Sequence, residues 1–245
     1  MPVPRDEPDR LAAYYREHVV RPDVRRRWDL ANPGNARALA EREALADGLV
    51  PGPFAGKRLL EVGSGSGDVL ASWVARGFSP HDAIGVDLLD FRVREARRRH
   101  PALSFVQASG DALPVATSSI DLALAYTVFS SVLDRALAGR MAAELDRVLV
   151  PGGRLVWYDF RVRRPGSHGT RGIGLRDVRA AFPGYAVEAR TTTLLPPLAR
   201  ALGPLTPALY GPLSALAPLR THFLAVLTKS DSRHRGKVTD DLTRG

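Results

Sequence analysis

The sequence predicts an α/β fold built on a mostly parallel sheet, and three observations carry that expectation. Apolar strand-like runs alternate with helical patterns through the middle of the chain, as they do where crossover helices join parallel strands. A glycine-rich loop links the first strand to the next helix, and an aspartate ends the second strand. In order, strands are expected at Arg58–Val62, Ala83–Asp87, Leu103–Gln107, Ile120–Tyr126 and Gly153–Asp159. Helices lie between them at Asp68–Arg76, Leu89–His100 and Ala136–Leu149. Two further strands, Tyr185–Thr191 and His222–Thr228, follow Pro183. Helices at Asp9–His18 and Asn35–Leu49 precede the first strand and form an expected cover over residues 1–55.

At 245 residues, 44% hydrophobic and 25% charged, the chain has the makeup of a globular protein with a full core. One domain is expected over residues 1–230, and the polar residues 231–245 read as a frayed tail. The absence of cysteine excludes disulfides, thiolate metal sites and a cysteine nucleophile. No carboxylate cluster in the sequence suggests a metal. No apolar run reaches the roughly 20 residues that span a bilayer. The first residues, MPVPRDEPDR, lack the apolar core of a secretory signal, so a cytoplasmic protein is expected. The net charge of +9 comes mostly from arginines dispersed along the chain. Without a clustered basic stripe, nucleic-acid recognition is not expected.

The segment Thr192–Arg220 breaks the alternation. It is rich in leucine, alanine and proline and holds no acidic residue. Proline breaks it too often for one long helix, and it is too apolar for an exposed loop. Two or three short helices are expected, covering something. A lid on the acceptor side of a site, a homodimer surface and a membrane contact all suit this composition, as does packing on the protein's own core.

The sharpest motif is LLEVGSGSGDVL, Leu59 to Leu70. Glycines at 63, 65 and 67 let the chain turn tightly and let a ligand approach the backbone, while the following helix presents its free N–H groups. Glu61 stands where a dinucleotide-binding loop keeps an apolar residue, and the spacing is Gly-x-Gly-x-Gly rather than Gly-x-Gly-x-x-Gly. Asp87, at the end of AIGVDLL, is placed to accept hydrogen bonds from both ribose hydroxyls of a nucleoside.

With these residues in order, the chain resembles the class I S-adenosylmethionine-dependent methyltransferases, and within them the small-molecule, type 11 subfamily. The resemblance runs from Gly56 to Phe160 and includes GDALP at Gly110–Pro114, SSIDLALAYTVFSSV, and DRVLVPGGRLVWYDF. It implies a Rossmann-like sheet of seven strands with flanking helices, the helical cover, and an apolar insertion before the last strand. It implies S-adenosylmethionine as cofactor, held by Glu61, Gly63, Ser64, Gly65, Gly67, Asp87, Leu88, Gly110, Asp111, Ala112, Tyr126 and Thr127. Asp111 inherits the contact to the adenine amino group, with Ala112 beside the ring. The chain departs from many relatives at Ser131, where they carry histidine, and at Ile120, where they carry phenylalanine.

Methyl transfer from a sulfonium needs in-line approach and exclusion of water, and a base only where the acceptor must lose a proton. Tyr126, Tyr158 and Asp159 lie near the carboxyl ends of strands, where open α/β sheets bind ligands. His168 lies in the loop beyond the fifth strand, and an imidazole can serve as a base near neutral pH. The expected catalytic set is therefore His168, Tyr126 and Asp159. Tyr14, Tyr15 and Trp28 are placed to close over the cofactor from the N-terminal helices or to anchor those helices. The expected acceptor is a small metabolite or sugar, methylated at oxygen, in natural-product or glycan biosynthesis. RNA or protein methylation, and cofactor binding without catalysis, are the rival readings.

Overall fold

The computed structural model describes residues 6–18, 21, 26–163 and 169–231. Seven strands form one sheet: β1 Leu59–Val62, β2 Ala83–Asp87, β3 Ser104–Gln107, β4 Ile120–Tyr126, β5 Leu149–Phe160, β6 Ala186–Leu194 and β7 Arg220–Thr228. Their order is β3-β2-β1-β4-β5-β7-β6, with β7 antiparallel to both neighbours and the pairs from β3 to β5 parallel. The helices are α1 Glu7–His18, α2 Pro33–Leu49, α3 Asp68–Val74, α4 Asp90–Arg99, α5 Arg135–Val148, α6 Leu175–Ala181, α7 Pro196–Ala201 and α8 Thr206–Ala215.

Alternation along the strands splits the core between the two faces of the sheet. Leu60, Val62, Ala123, Ala125 and Trp157 pack with Leu137, Met141 and Leu145 of α5. Leu59, Leu122, Leu124 and Val156 point the other way, against Trp73 of α3 and Val93 and Ala96 of α4. With both faces covered, β1 is buried at every position, which explains its unbroken apolar run around Glu61. Asn32 caps α2 by accepting from Gly34 and Asn35 N–H, and Pro33 opens the helix where no amide partner is needed.

The sequence-predicted elements are all present, and tertiary pairing moves some of their ends. β5 starts at Leu149, because the Pro-Gly-Gly stretch pairs with the residue beyond β7: Gly152 N–H donates to Lys229 O, and Lys229 N–H to Gly153 O. The seven-residue α6 was not expected; it is too short to show a period, and Asp177 accepts from Gly174 N–H at its start. Segment 192–220 finishes β6 and then forms α7 and α8 with single 3₁₀ turns between and after them. These helices dock on α2 through Leu194, Ala199, Leu202 and Tyr210, with Ala38 facing them. The approach is so close that a Cβ on Gly34 would stand 1.9 Å from Ala199 O. No helix of the described residues is long and apolar enough to cross a membrane.

Candidate active site

At the end of β1 the chain turns sharply, and the Gly63 and Ser64 N–H groups donate to Val86 O on β2 (2.7 and 3.0 Å). Gly63 takes φ +69°, and a Cβ there would stand 2.5 Å from Val128 Cγ2 of the facing loop. Above this turn opens a cavity of about 220 Å³. Gly63, Gly65, Asp87, Leu88 and Gly110 line it, with Tyr126 and Thr127 at the end of β4. So do Leu11 and Tyr15 of α1, Val128, Ser131 and Val132 of the loop after β4, and Leu137 and Met141 of α5.

Asp87 is buried at the tip of β2 and held by backbone amides. Its Oδ2 accepts from Gly65 N–H (2.8 Å) and its Oδ1 from Leu89 N–H (2.9 Å). Burial raises its carboxyl above the ordinary value, against the pull of those amides and the Arg92 guanidinium. Arg92, which sequence reasoning missed, lines the cavity two positions into α4, the helix that Asp87 leads into.

Glu61 does something other than line this space. Its buried Oε2 accepts from Leu70 N–H (2.9 Å), an amide in the first turn of α3 that no helical carbonyl reaches. Gly67, the residue before that helix, has no side chain to cap it, so Glu61 caps it from the neighbouring strand. Burial pushes the Glu61 carboxyl well above the ordinary range. Ser64, Gly67, Asp111 and Ala112 are also absent from the cavity wall. Asp111 turns to Ser109 Oγ (2.5 Å) and to Arg140 Nε (2.9 Å), and these partners, Ser109 first, lower its carboxyl.

Of the expected catalytic set, Tyr126 lines the cavity and Asp159 does not. Tyr126 directs its hydroxyl to the indole of Trp73, whose Nε1–H donates to it (3.2 Å), and burial raises the phenol strongly. Asp159 is sealed in the core: Oδ2 accepts from Ser130 N–H (3.0 Å) and Oδ1 from Phe160 N–H (2.9 Å), and burial pushes its carboxyl up to about 6. It ties down the loop after β4 and does not line the cavity. His168 lies outside the described residues. Tyr158 bonds Thr193 Oγ1 (2.8 Å) and stacks on buried His222 (centroids 4.9 Å, 2° between planes). Burial and the Arg42 guanidinium lower His222 to about 3.

The loop 127–133 is the least regular backbone of the site. Thr127 occupies the left-handed region (φ +55°), with its N–H donating to Tyr158 O (2.6 Å). Three carbonyls that follow are met from outside: Ser130 O by Arg171 N–H (2.8 Å), Ser131 O by Arg10 (2.5 Å), Val132 O by Arg171 Nε (3.0 Å). Glu7 accepts from Leu133 N–H (2.6 Å). Ser131 Oγ donates to Thr127 O (3.2 Å), so the Tyr15 hydroxyl (3.1 Å away) donates to Ser131. Of the aromatic residues expected to close from the N-terminal side, Tyr15 lines the cavity and Tyr14 packs on it edge-on, while Trp28 is 48% exposed beneath Arg200.

Strand order, glycine turn and strand-end aspartate are those of the class I S-adenosylmethionine-dependent methyltransferase fold. Residues 60–157 match the methyltransferase domain family, and S-adenosylmethionine is the methyl donor of that family. A demethylmenaquinone methyltransferase of Beutenbergia cavernae is 34% identical over 140 residues, which are 56% of this chain and 55% of that protein. A fatty-acid O-methyltransferase of Mycolicibacterium smegmatis is 40% identical over 110 residues, 44% of this chain and 39% of that protein. The chain thus spans about half the length, or less, of these curated relatives. The geranyl diphosphate C-methyltransferase of Streptomyces coelicolor A3(2) shares the fold, with a TM-score of 0.64 over 94% of this chain and 100% of that one at 14% identity.

Proposed function

We propose that this chain transfers a methyl group from S-adenosylmethionine to an oxygen of a small molecule with an apolar body. The observation that carries this is the cavity itself, which joins a nucleoside cradle to an apolar wall. The cradle fits the cofactor: the backbone at Gly63 leaves no room for a side chain, and each Asp87 oxygen keeps acceptor capacity for a ribose hydroxyl. Leu88 and Gly110 line the same space. Glu61 supports this cradle from behind by fixing the start of α3. S-adenosylmethionine supplies a methyl that is already electrophilic, so the chain's share is to bind, orient and exclude water.

Leu11, Val128, Val132, Leu137 and Met141 make an apolar stretch of the wall, which the hydroxyls of Tyr15 and Ser131 interrupt. A sugar ring would leave most of its hydroxyls unpaired there, so an apolar acceptor fits better. The relatives named above, acting on a demethylmenaquinone and on a fatty acid, support that choice. With its own proton given to Ser131, the Tyr15 oxygen accepts from a hydroxyl of the acceptor and orients it. Burial raises the Tyr15 phenol, so it stays neutral and positions rather than deprotonates. His168 is the base candidate for such an acceptor; its neighbour Gly169 lies against the Tyr14 ring, where a Cβ would come within 2.2 Å. In a His168→Gln protein, kcat should drop about a hundredfold or more with cofactor affinity kept.

Calorimetry with S-adenosylhomocysteine tests the cradle. Asp87→Ala should cost about 1–3 kcal/mol of affinity, about fivefold to 150-fold, because two ribose hydroxyls lose their partner. Unchanged affinity in a folded Asp87→Ala protein, or binding of NAD alone by the wild type, would end this reading.

A further inference from the structure

An exposed apolar surface lies away from the cavity, on the helices before β7. None of residues 192–220 lines the cavity, so the lid role expected for this segment is not where the structure puts it. α8 is apolar on both sides. Thr206 and Tyr210 are buried and Leu213 packs with them against α2, while Leu205, Leu209, Pro212 and Leu216 form the opposite stripe in solvent. Leu205 is 59% exposed, Leu209 40% and Leu216 54%. Every exposed residue from 201 to 218 is alanine, leucine, proline or glycine. A surface helix of a soluble monomer carries polar residues on its outer face, so this stripe has an occupant.

We infer that the occupant is an anionic lipid surface, with α8 lying in its plane. Charge selects it. Residues 189–230 hold no acidic residue; Arg200 stands at the end of α7 and Arg220 beside α8, donating to Ser214 O, while Arg190 and Lys229 are paired with Glu188 and Asp146 away from the stripe. Arg200 sits over the ring of exposed Trp28 (5.9 Å to the centroid), beside exposed Arg26 and Arg27. An apolar stripe, a tryptophan and rimming arginines are the parts of an interfacial helix, in which apolar burial and attraction to anionic headgroups add. A second copy of the chain is the other candidate. A two-fold contact would set this cationic rim against its own image, which disfavours it.

Flotation with vesicles tests the inference without cofactor or acceptor, so its outcome is independent of the methyl-transfer reading. The full chain should float with vesicles of phosphatidylglycerol and phosphatidylcholine, and far less with phosphatidylcholine alone. The pair Leu205→Glu and Leu209→Glu, both in solvent, should weaken that binding about tenfold or more while calorimetry shows cofactor affinity unchanged. Failure of the wild-type chain to float, equal binding to neutral vesicles, or full binding by the double variant would overturn the inference. Size-exclusion chromatography separates the alternative: a wild-type dimer that the double variant converts to monomer, with no flotation, assigns the stripe to a second copy.

Discussion

α1 and the α7–α8 pair both flank the sheet, and both were candidates to cover the site, yet they dock on different partners. α1 reaches the cavity through polar groups: Glu7 takes Leu133 N–H, Arg10 meets Ser131 O, and the Tyr15 hydroxyl meets Ser131 Oγ. α7 and α8 attach to α2 mainly through Leu194, Ala199, Leu202 and Tyr210, with the Tyr210 hydroxyl donating to Glu41 (2.7 Å), and contribute nothing to the cavity wall. The difference teaches that a site's cover is recruited by the backbone it must satisfy. The loop 127–133 carries amides and carbonyls with no ladder partner, and a helix with charged and hydroxyl groups can meet them. α7 and α8 carry few such groups, and they settle mainly on apolar contacts with α2.

The largest effect that can break this comparison comes from Gly34. In a Gly34→Val protein the new side chain would collide with Ala199 O, and α7 and α8 should lift from α2. A stability loss of about 2–4 kcal/mol is expected, read by urea denaturation. In the folded fraction, cofactor affinity should be kept. If it is lost as well, the two regions are coupled and the contrast fails.

A smaller effect lies under the loop that α1 clamps. Burial raises the Asp159 carboxyl from 3.8 to about 6 in the folded chain. The unfolded chain therefore releases this proton at lower pH, and the folded state holds more protons between 3.8 and about 6. Its contribution to stability is fully present below that window and is lost as pH rises through it, by on the order of 1–3 kcal/mol. Urea denaturation at pH 4 and pH 7 measures the loss. Asp159→Asn should remove this component of the slope; equal slopes in the two proteins would contradict the assignment. Asparagine is also expected to loosen the loop, because its amide must face either Ser130 N–H or Phe160 N–H.

The smallest effect sharpens the contrast at single groups. Tyr15→Phe removes one hydroxyl at the cavity wall and should raise the acceptor KM by about fivefold, near 1 kcal/mol. Leu209→Ser, on the exposed stripe, should leave that KM unchanged. A change at Leu209 as large as that at Tyr15 would show that α8 serves the acceptor after all.

Much of this molecule was determined by its sequence. β2 and β4 keep the bounds their apolar runs predict, and the glycine turn and Asp87 come out together at the strand ends. These features depend on the backbone preferences of neighbouring residues and on periodicity, which a sequence carries locally. Other features were decided by groups far apart in the chain. Glu7 and Leu133 stand 126 positions apart, and nothing near either announces their bond. Glu61 reads as a ligand contact until the fold brings Leu70 N–H to it, and Asp159 reads as a base until Ser130 closes over it. A polar side chain at a strand end has the same chemistry whether it faces a ligand or an unpaired amide. Which one it meets is set by the packing of the elements around it, so only the tertiary structure could assign these two carboxylates.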